Sequence, residues 1–207
     1  FASAGTSFDN TGATITTTDT AISINHTGAV TVGSALSSGS GMVGLTSNGS
    51  TVTLSAPISV STGSVSLDSA GGTTVTATGD ITATGAAAVS FGATLNGSLN
   101  TAGDASTVGG TVHYYRPVTL TGNVVVNAGA GNITFDFTVN ADAVTNNRTL
   151  ALNSTVTTTL GGAVGESQAL LSLTTDVGGS TAINGGAVTT TGAQTYNDGV
   201  TVGADLT

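Results

Sequence analysis

The chain has 207 residues, of which only 6% are charged, against about 25% in an ordinary soluble domain. It contains two arginines, no lysine, ten aspartates and one glutamate, and its net charge is −9. This balance excludes nucleic-acid binding, because nucleic-acid phosphates are bound by clustered lysine and arginine. The β-branched residues (42 Thr, 22 Val and 7 Ile) make up a third of the chain and favour strands over helices. We therefore predict an all-β protein.

The sequence has no cysteine, so neither disulfides nor thiolate metal sites are expected. No apolar run approaches the roughly 18 residues that a membrane helix needs, so no membrane span is expected. The first residues lack the layout of a signal peptide, and we expect an interior piece of a longer or processed protein. Disorder is the competing interpretation. It is opposed by apolar residues that alternate in phase, as at Val52 and Leu54 or Val89 and Phe91.

Strand-like alternation begins at Thr14–Thr18, where Ile15 is the apolar residue among threonines. Between residues 51 and 99, short strands separated by Gly, Ser or Asn turns have their centres near 53, 59, 66, 75, 82, 90 and 96. Three such strands make one coil of about 21–24 residues, which is typical of a solenoid. The spacing predicts one continuous parallel β-solenoid over residues 1–207 with roughly nine coils.

A longer repeat accompanies these coils. Residues 114–124 align with residues 196–206 at a constant offset of 82, with Tyr, Val and Thr identical. This offset is close to four coils of about 20–21 residues. We predict one 82-residue repeat at 107–188 and the start of the next at 189–207.

Four short segments near the end of the chain stand in a specific order: GGAVG at 161–165, SLTT at 172–175, INGG at 183–186 and TTTGAQTYND at 189–198. In this order residues 160–206 resemble the repeat of giant bacterial β-strand-repeat surface proteins, similar to filamentous haemagglutinin, and residues 118–135 fit the same style. The segment His113–Pro117 departs from the pattern. The resemblance implies a right-handed parallel β-helix that is secreted and forms the shaft of an adhesin or surface fibre.

Groups that could perform catalysis are sparse. His26 and His113 have no matching Asp or Ser motif nearby in sequence, and Glu166 sits in a Gly-Glu-Ser turn. Solenoid enzymes that cleave polysaccharides need clustered acids along a groove, including a close carboxylate pair. We therefore predict a non-enzymatic protein with no catalytic residue and no cofactor. A polysaccharide-cleaving or polysaccharide-binding β-helix ranks third, after an adhesive shaft and an ice-binding solenoid.

Aspartate is the only abundant charged residue, which raises the question of calcium. The calcium-binding Gly-Gly-x-Gly-x-Asp nonapeptide is absent, and the aspartates are scattered beside Gly, Ala or Asn, at 80, 104, 142, 176, 198 and 205. We interpret them as turn residues and predict no metal site. Asparagines in six N-x-Ser/Thr sequons favour turns or stacked side-chain ladders over glycosylation: Asn25, Asn48, Asn96, Asn132, Asn147 and Asn153.

One segment concentrates the rare residue types. His113, Tyr114, Tyr115, Arg116 and Pro117 include two of the three tyrosines and one of the two arginines. Aromatic residues and arginine carry contact energy at interfaces. The sequence leaves two interpretations of equal weight: an interface at His113, Tyr114, Tyr115 and Arg116, or local packing at a coil edge.

The leading functional hypothesis is a structural and adhesive shaft at the cell surface or outside the cell. Its expected partners are copies of itself or flanking repeats end to end, and glycans. The rival from another class is an ice-binding solenoid, based on Thr-x-Thr pairs at 14/16, 74/76, 82/84 and 189/191 whose separations do not repeat once per coil. The chain stops within a predicted strand at residues 204–207, so continuation or head-to-tail stacking is expected. Trypsin resistance is also expected, since Arg116 precedes proline and only Arg148 is a ready site.

Overall fold

A computed structural model describes residues 1–143, 145 and 147–203. The described residues form 26 β-strands and no helix. In chain order the first thirteen are β1 (Ala2–Gly5), β2 (Phe8–Asp9), β3 (Ile15–Thr17), β4 (Ile22–His26), β5 (Val30–Val32), β6 (Leu36–Ser38), β7 (Val43–Ser47), β8 (Val52–Leu54), β9 (Ile58–Val60), β10 (Val65–Ser69), β11 (Thr73–Val75), β12 (Ile81–Ala83) and β13 (Val89–Phe91). The others are β14 (Leu99–Thr101), β15 (Ala105–Thr107), β16 (Val112–Tyr114), β17 (Val118–Leu120), β18 (Val124–Gly129), β19 (Ile133–Phe135), β20 (Val139–Ala141), β21 (Thr149–Ser154), β22 (Thr157–Leu160), β23 (Ser172–Thr175), β24 (Ser180–Ile183), β25 (Gln194–Thr195) and β26 (Gly199–Val202).

These strands build three parallel sheets, each of which runs along the molecule. Sheet A has the order β1-β4-β7-β10-β13-β16-β19-β22-β24-β26, sheet B the order β2-β5-β8-β11-β14-β17-β20, and sheet C the order β25-β23-β21-β18-β15-β12-β9-β6-β3. The chain visits sheets A, B and C in turn, and each circuit is one coil. The predicted right-handed parallel β-helix is confirmed, with nine coils and the first strand of a tenth.

Coil length varies more than the sequence pattern predicts. Ser180 pairs with Gly199, 19 residues later, whereas Ile133 pairs with Thr158, 25 residues later. The ladder tolerates this variation because extra residues leave the coil as turns without shifting the paired strands. Isolated bridges from Val139 to Val164 and from Val164 to Val188 continue the path of sheet B beyond β20.

The interior is filled by inward-facing residues that alternate along each strand. In sheet A one inner column contains one aliphatic residue per coil: Ile22, Val43, Val65, Val89, Val112 and Ile133. All six are at most 1% exposed. Each buried Val, Leu or Ile side chain contributes roughly 1.5–3 kcal/mol, so one coil collects several such contributions.

Hydroxyl side chains also lie inside. Thr73 is 3% exposed, and its Oγ1 lies 3.0 Å from Oγ of buried Ser69. Thr107 Oγ1 donates to the carbonyl of Gly110 at 2.6 Å. Such inward hydroxyls stand near the corners, where turning backbone leaves buried groups that need a hydrogen-bond partner.

Six of the seven predicted strand centres between residues 51 and 99 are confirmed to within about one residue, and the centre near 96 is wrong. Residues 92–98 are a connection between β13 and β14. The carboxylate of Asp68, only 5% exposed, accepts bonds from the Thr94 amide (2.8 Å), the Thr94 hydroxyl and the Leu95 amide (2.9 Å). Gly92 starts the turn with φ +73°. Hydrogen bonds to the Asp68 carboxylate, 26 residues before Thr94, thus hold this connection in place of strand pairing.

The 82-residue repeat stays a prediction about the sequence, and its aligned residues fall on different sheets. Val118 lies in sheet B, whereas Val200, its counterpart at the offset of 82, lies in sheet A. The ladder connects Val112 to Ile133, Thr158, Thr181 and Val200, which is 88 residues for four coils. Part of the predicted second repeat, residues 204–207, lies outside the described residues.

Candidate interaction surface

The segment His113–Pro117 lies at the end of β16 and in the turn that leads to sheet B. Tyr114 faces inward and is 2% exposed, so its assignment to an interface is wrong. Its ring is stacked between Phe91 (4.8 Å between centroids, 8° between planes) and Phe135 (4.3 Å, 2°). Burial raises the pKa of the Tyr114 hydroxyl well above its ordinary value, and the charge of Asp104 adds to this. Local packing is therefore the correct interpretation for Tyr114.

His113 faces outward on the same strand. Its Nε2 lies 3.0 Å from Oδ1 of Asp136 in the next coil, and its ring stacks on Tyr115 with 3.6 Å between centroids. Both side chains of the His113–Asp136 pair are partly exposed, at 23% and 39%. Asp136 was missed in the sequence, because it is 23 residues away and only the coil register brings it here.

Arg116 is placed by the preceding coil. Its Nε donates to the carbonyl of Leu95 at 2.7 Å, and its side chain covers Gly92, where an added Cβ would lie 2.5 Å from Arg116 Cγ. Among the described residues Arg116 takes part in no ion pair. The other arginine, Arg148, binds Asp142 through Nε and Nη2, both at 2.8 Å, and these bonds raise the pKa of its guanidinium.

Phe137 completes the cluster from the neighbouring coil. Tyr114 pairs with Phe135 and Val118 with Val139, so the same offset of 21 makes Phe137 the counterpart of Arg116 in the next coil. Phe137 is 46% exposed, one of the few large apolar side chains on the surface. We call His113, Tyr115, Arg116, Asp136 and Phe137 the aromatic corner. It contains aromatic rings of two coils and one guanidinium at the junction of sheets A and B, with the Arg116 side chain extending toward Gly92 and Leu95 of the preceding coil.

Ser90, His113 and Asp136 follow one another across three coils, as the members of a nucleophilic triad would. The Ser90 hydroxyl, however, lies 3.5 Å from the carbonyl of Val65 in the coil on the opposite side from His113. A base must accept the proton of its nucleophile over a hydrogen bond. The Ser90 hydroxyl therefore points to the carbonyl of Val65 in the preceding coil and is not activated by His113.

The other titratable residues are dispersed. His26 is 4% exposed, with Nε2 3.0 Å from Ser3 Oγ and with Nδ1 lacking a hydrogen-bond partner. Desolvation raises the pKa of Asp104, and the neighbouring Asp80 adds to the rise against the bond from the Val125 amide. Within residues 1–143, 145 and 147–203, no three His, Asp or Glu side chains form a metal-binding group. Asp205 lies outside the described residues.

The asparagines of three sequons form the predicted ladders. Asn48 Nδ2 donates to Asn25 Oδ1, and Asn153 Nδ2 donates to Asn127 Oδ1, each at 2.5 Å. Stacked amides of this kind satisfy one another from coil to coil. The ladder interpretation is confirmed for Asn25, Asn48 and Asn153.

The Thr-x-Thr pairs fall on different faces. Thr16 and Thr82 face outward on sheet C, whereas Thr74 faces outward on sheet B. Sheet B nevertheless carries one outward column with four threonines, missed in the sequence because coil length varies: Asp9, Thr31, Thr53, Thr74, Asn100, Thr119 and Asn140.

The expected tryptic site is held in the ladder. The Arg148 carbonyl accepts a bond from the Leu171 amide at 2.8 Å, and the Thr149 amide donates to Asn123 Oδ1 at 3.1 Å. Asn146, two residues before Arg148, lies outside the described residues. Resistance of native protein to trypsin stays a prediction, now with a physical basis, because a protease needs the scissile backbone in extended, free form.

Comparison with protein-family models, curated proteins and solved structures gives no match to this chain. In the part of the chain that the structure describes, no helix is long and apolar enough to cross a membrane.

Proposed function

We propose that the protein is a non-catalytic structural and adhesive shaft of a bacterial surface protein or extracellular filament. The observation that carries the proposal is the parallel ladder around one core, in which sheets A and C run through nine coils and sheet B through seven, continued by bridges at Val164 and Val188. Nine coils at about 4.8 Å each give a rod about 43 Å long. Three ladders resist bending in every direction, which is the property that a shaft needs.

The resemblance of residues 160–206 to repeats of filamentous haemagglutinin-like surface proteins supports the same proposal. So does the low charge, since long solenoids are stabilised by backbone pairing and core packing more than by ion pairs. The expected location is the cell surface or the surrounding medium.

Immunoelectron microscopy of producing cells, with antibodies against residues 1–207, tests this proposal. We expect gold particles on surface fibres or released filaments, in rows along the fibre. Label confined to the cell interior would overturn it.

Ice binding is a second candidate, favoured by the outward column of sheet B. Four threonines, at 31, 53, 74 and 119, lie one coil apart except where Asn100 intervenes. A thermal hysteresis assay of the chain, with Thr53→Lys and Thr74→Lys as disrupting variants, decides this candidate: a freezing gap lost in both variants would support it, and no gap in the parent chain would eliminate it.

A further inference from the structure

Arg116 differs from the other arginine of the chain because it has no ion-pair partner among the described residues. The chain has a net charge of −9 and no lysine, and the only other arginine is engaged by both oxygens of Asp142. A side chain such as Arg116, which takes part in no ion pair in the part of the chain that the structure describes, attracts an anionic group that the net charge of the chain would repel. The charge of Arg116 therefore selects for an anion.

The bond to Leu95 determines which part of the guanidinium is available. Because Nε donates to the Leu95 carbonyl, the terminal Nη1 and Nη2 remain as the fork for a ligand. Two parallel N–H groups match the two oxygens of a carboxylate. The tether also removes side-chain freedom before binding, which lowers the entropic cost of the contact.

The rings of the aromatic corner fit the faces of sugars. Tyr115 is held against His113 at 3.6 Å between centroids, and His113 is itself held by Asp136, so this ring is fixed before any ligand arrives. Phe137, 46% exposed, offers a second apolar face in the adjacent coil. Aromatic faces bind the apolar C–H face of a sugar ring, while nearby polar groups bind its hydroxyls.

We propose that the aromatic corner binds an acidic polysaccharide whose charges are uronic-acid carboxylates. One sugar carboxylate binds the Nη fork of Arg116, and sugar rings lie against Tyr115 and Phe137. This inference rests on the proposed adhesive role and supplies its ligand class. Asp136 opposes the ligand by like charge, and its bond to His113 holds the carboxylate away from full exposure.

The test uses the 207-residue chain and affinity electrophoresis in gels that contain polygalacturonate. We expect retardation that decreases in 0.5 M NaCl, as a screened charge contact requires. Arg116→Gln should weaken binding by about tenfold or more, the size expected for a hydrogen-bonded charge contact. The matched control is Arg148→Gln, which removes the arginine that is already paired and should leave retardation unchanged.

Two further variants separate the proposed contact from general destabilisation. Asp136→Asn keeps an oxygen that accepts from His113 Nε2 but removes the like charge, so it should strengthen binding by severalfold. Phe137→Ser should weaken binding without altering the strand signal in circular dichroism, because its side chain is already exposed. If these substitutions acted by misfolding the chain, both Asp136→Asn and Phe137→Ser would instead bind the polysaccharide more weakly.

Several results would overturn the proposal: no retardation by polygalacturonate, equal loss in the two arginine variants, or equal retardation by neutral dextran. Stronger retardation by dextran sulfate than by polygalacturonate would point to sulfate and reject the carboxylate. A change in sedimentation of Arg116→Gln without a change in polysaccharide binding would identify a second copy of the chain as the occupant. The rod dimensions of the parent chain, measured by small-angle scattering, are independent of all these outcomes, so failure here leaves the shaft proposal standing.

Discussion

Coils 2–4 and coils 5–7 fill the same cross-section in two ways. In coils 2–4 the strands of sheet A have five residues, and three side chains of each face inward, such as Val43, Leu45 and Ser47 in β7. In coils 5–7 they have three residues and only two inward side chains, of which the second is aromatic: Phe91, Tyr114 or Phe135. A larger ring thus replaces two smaller groups.

We infer from this comparison that the coils keep the core volume constant while the strand length changes. Interiors are packed to a nearly uniform density, so one inward residue fewer requires a bulkier neighbour. In coils 6 and 7 the corner between sheets A and B is also tighter, since it takes Val112 to Val118 in six residues, against eight from Ile22 to Val30; coil 5 instead carries the longer connection at 92–98. That tight corner is where Tyr115, Arg116 and Phe137 emerge.

The largest expected effect separates the two ways of filling the core. Phe135→Ala should lower the free energy of unfolding by about 4–5 kcal/mol, because its ring has no third inward residue beside it that could fill the cavity. Leu45→Ala, next to Ser47, should cost about 2–3 kcal/mol. Urea denaturation measures both, and Phe137→Ala, exposed and two residues away, is the control and should change stability by less than about 0.5 kcal/mol. Equal losses at 45 and 135 would contradict volume compensation.

An intermediate effect concerns alkaline pH. The pKa of Tyr114 is raised in the folded chain, so its contribution to stability is complete below the unfolded pKa of about 10 and is lost as pH rises above that value. The expected loss is about 1.4 kcal/mol for each pH unit above 10. Tyr114→Phe keeps the stack and removes the titrating hydroxyl. The midpoint temperature of unfolding should therefore fall less steeply between pH 8 and 11.5 in Tyr114→Phe than in the parent chain. Parallel curves would show that the Tyr114 hydroxyl ionises as readily in the folded chain as in the unfolded chain.

The smallest effect is expected in coil 2, where the third inward position carries His26 in place of the serine of coils 3 and 4. Its Nδ1 is buried without a hydrogen-bond partner, a state that costs free energy. His26→Leu should stabilise the first two coils by about 1 kcal/mol at neutral pH, measured by hydrogen exchange of residues 22–26. Decreased protection there would show that the bond to Ser3 outweighs the unpaired nitrogen.

Much of the architecture could be predicted from period-two alternation and turn spacing. The same alternation predicts that Tyr114 faces inward, because Tyr114 is in phase with Val112 and Val118. Its aromatic character nevertheless suggested a role at the surface. The connection at 92–98 could not be predicted in this way, because the acceptor that holds it, Asp68, is distant in sequence. Asp136 and Phe137 join the aromatic corner only through the register between coils, which depends on the length of each turn.

Distances along the axis test the continuous stiff shaft most directly. The chain has no cysteine, so pairs of introduced cysteines can carry spin labels without background. Ser40, Thr62 and Val177 are exposed at turns between sheets C and A, in coils 2, 3 and 8. At about 4.8 Å per coil, electron–electron distance measurements should give about 29 Å for 40/177 and about 24 Å for 62/177, both with narrow distributions. Broad distributions, or equal distances for the two pairs, would contradict a rigid solenoid.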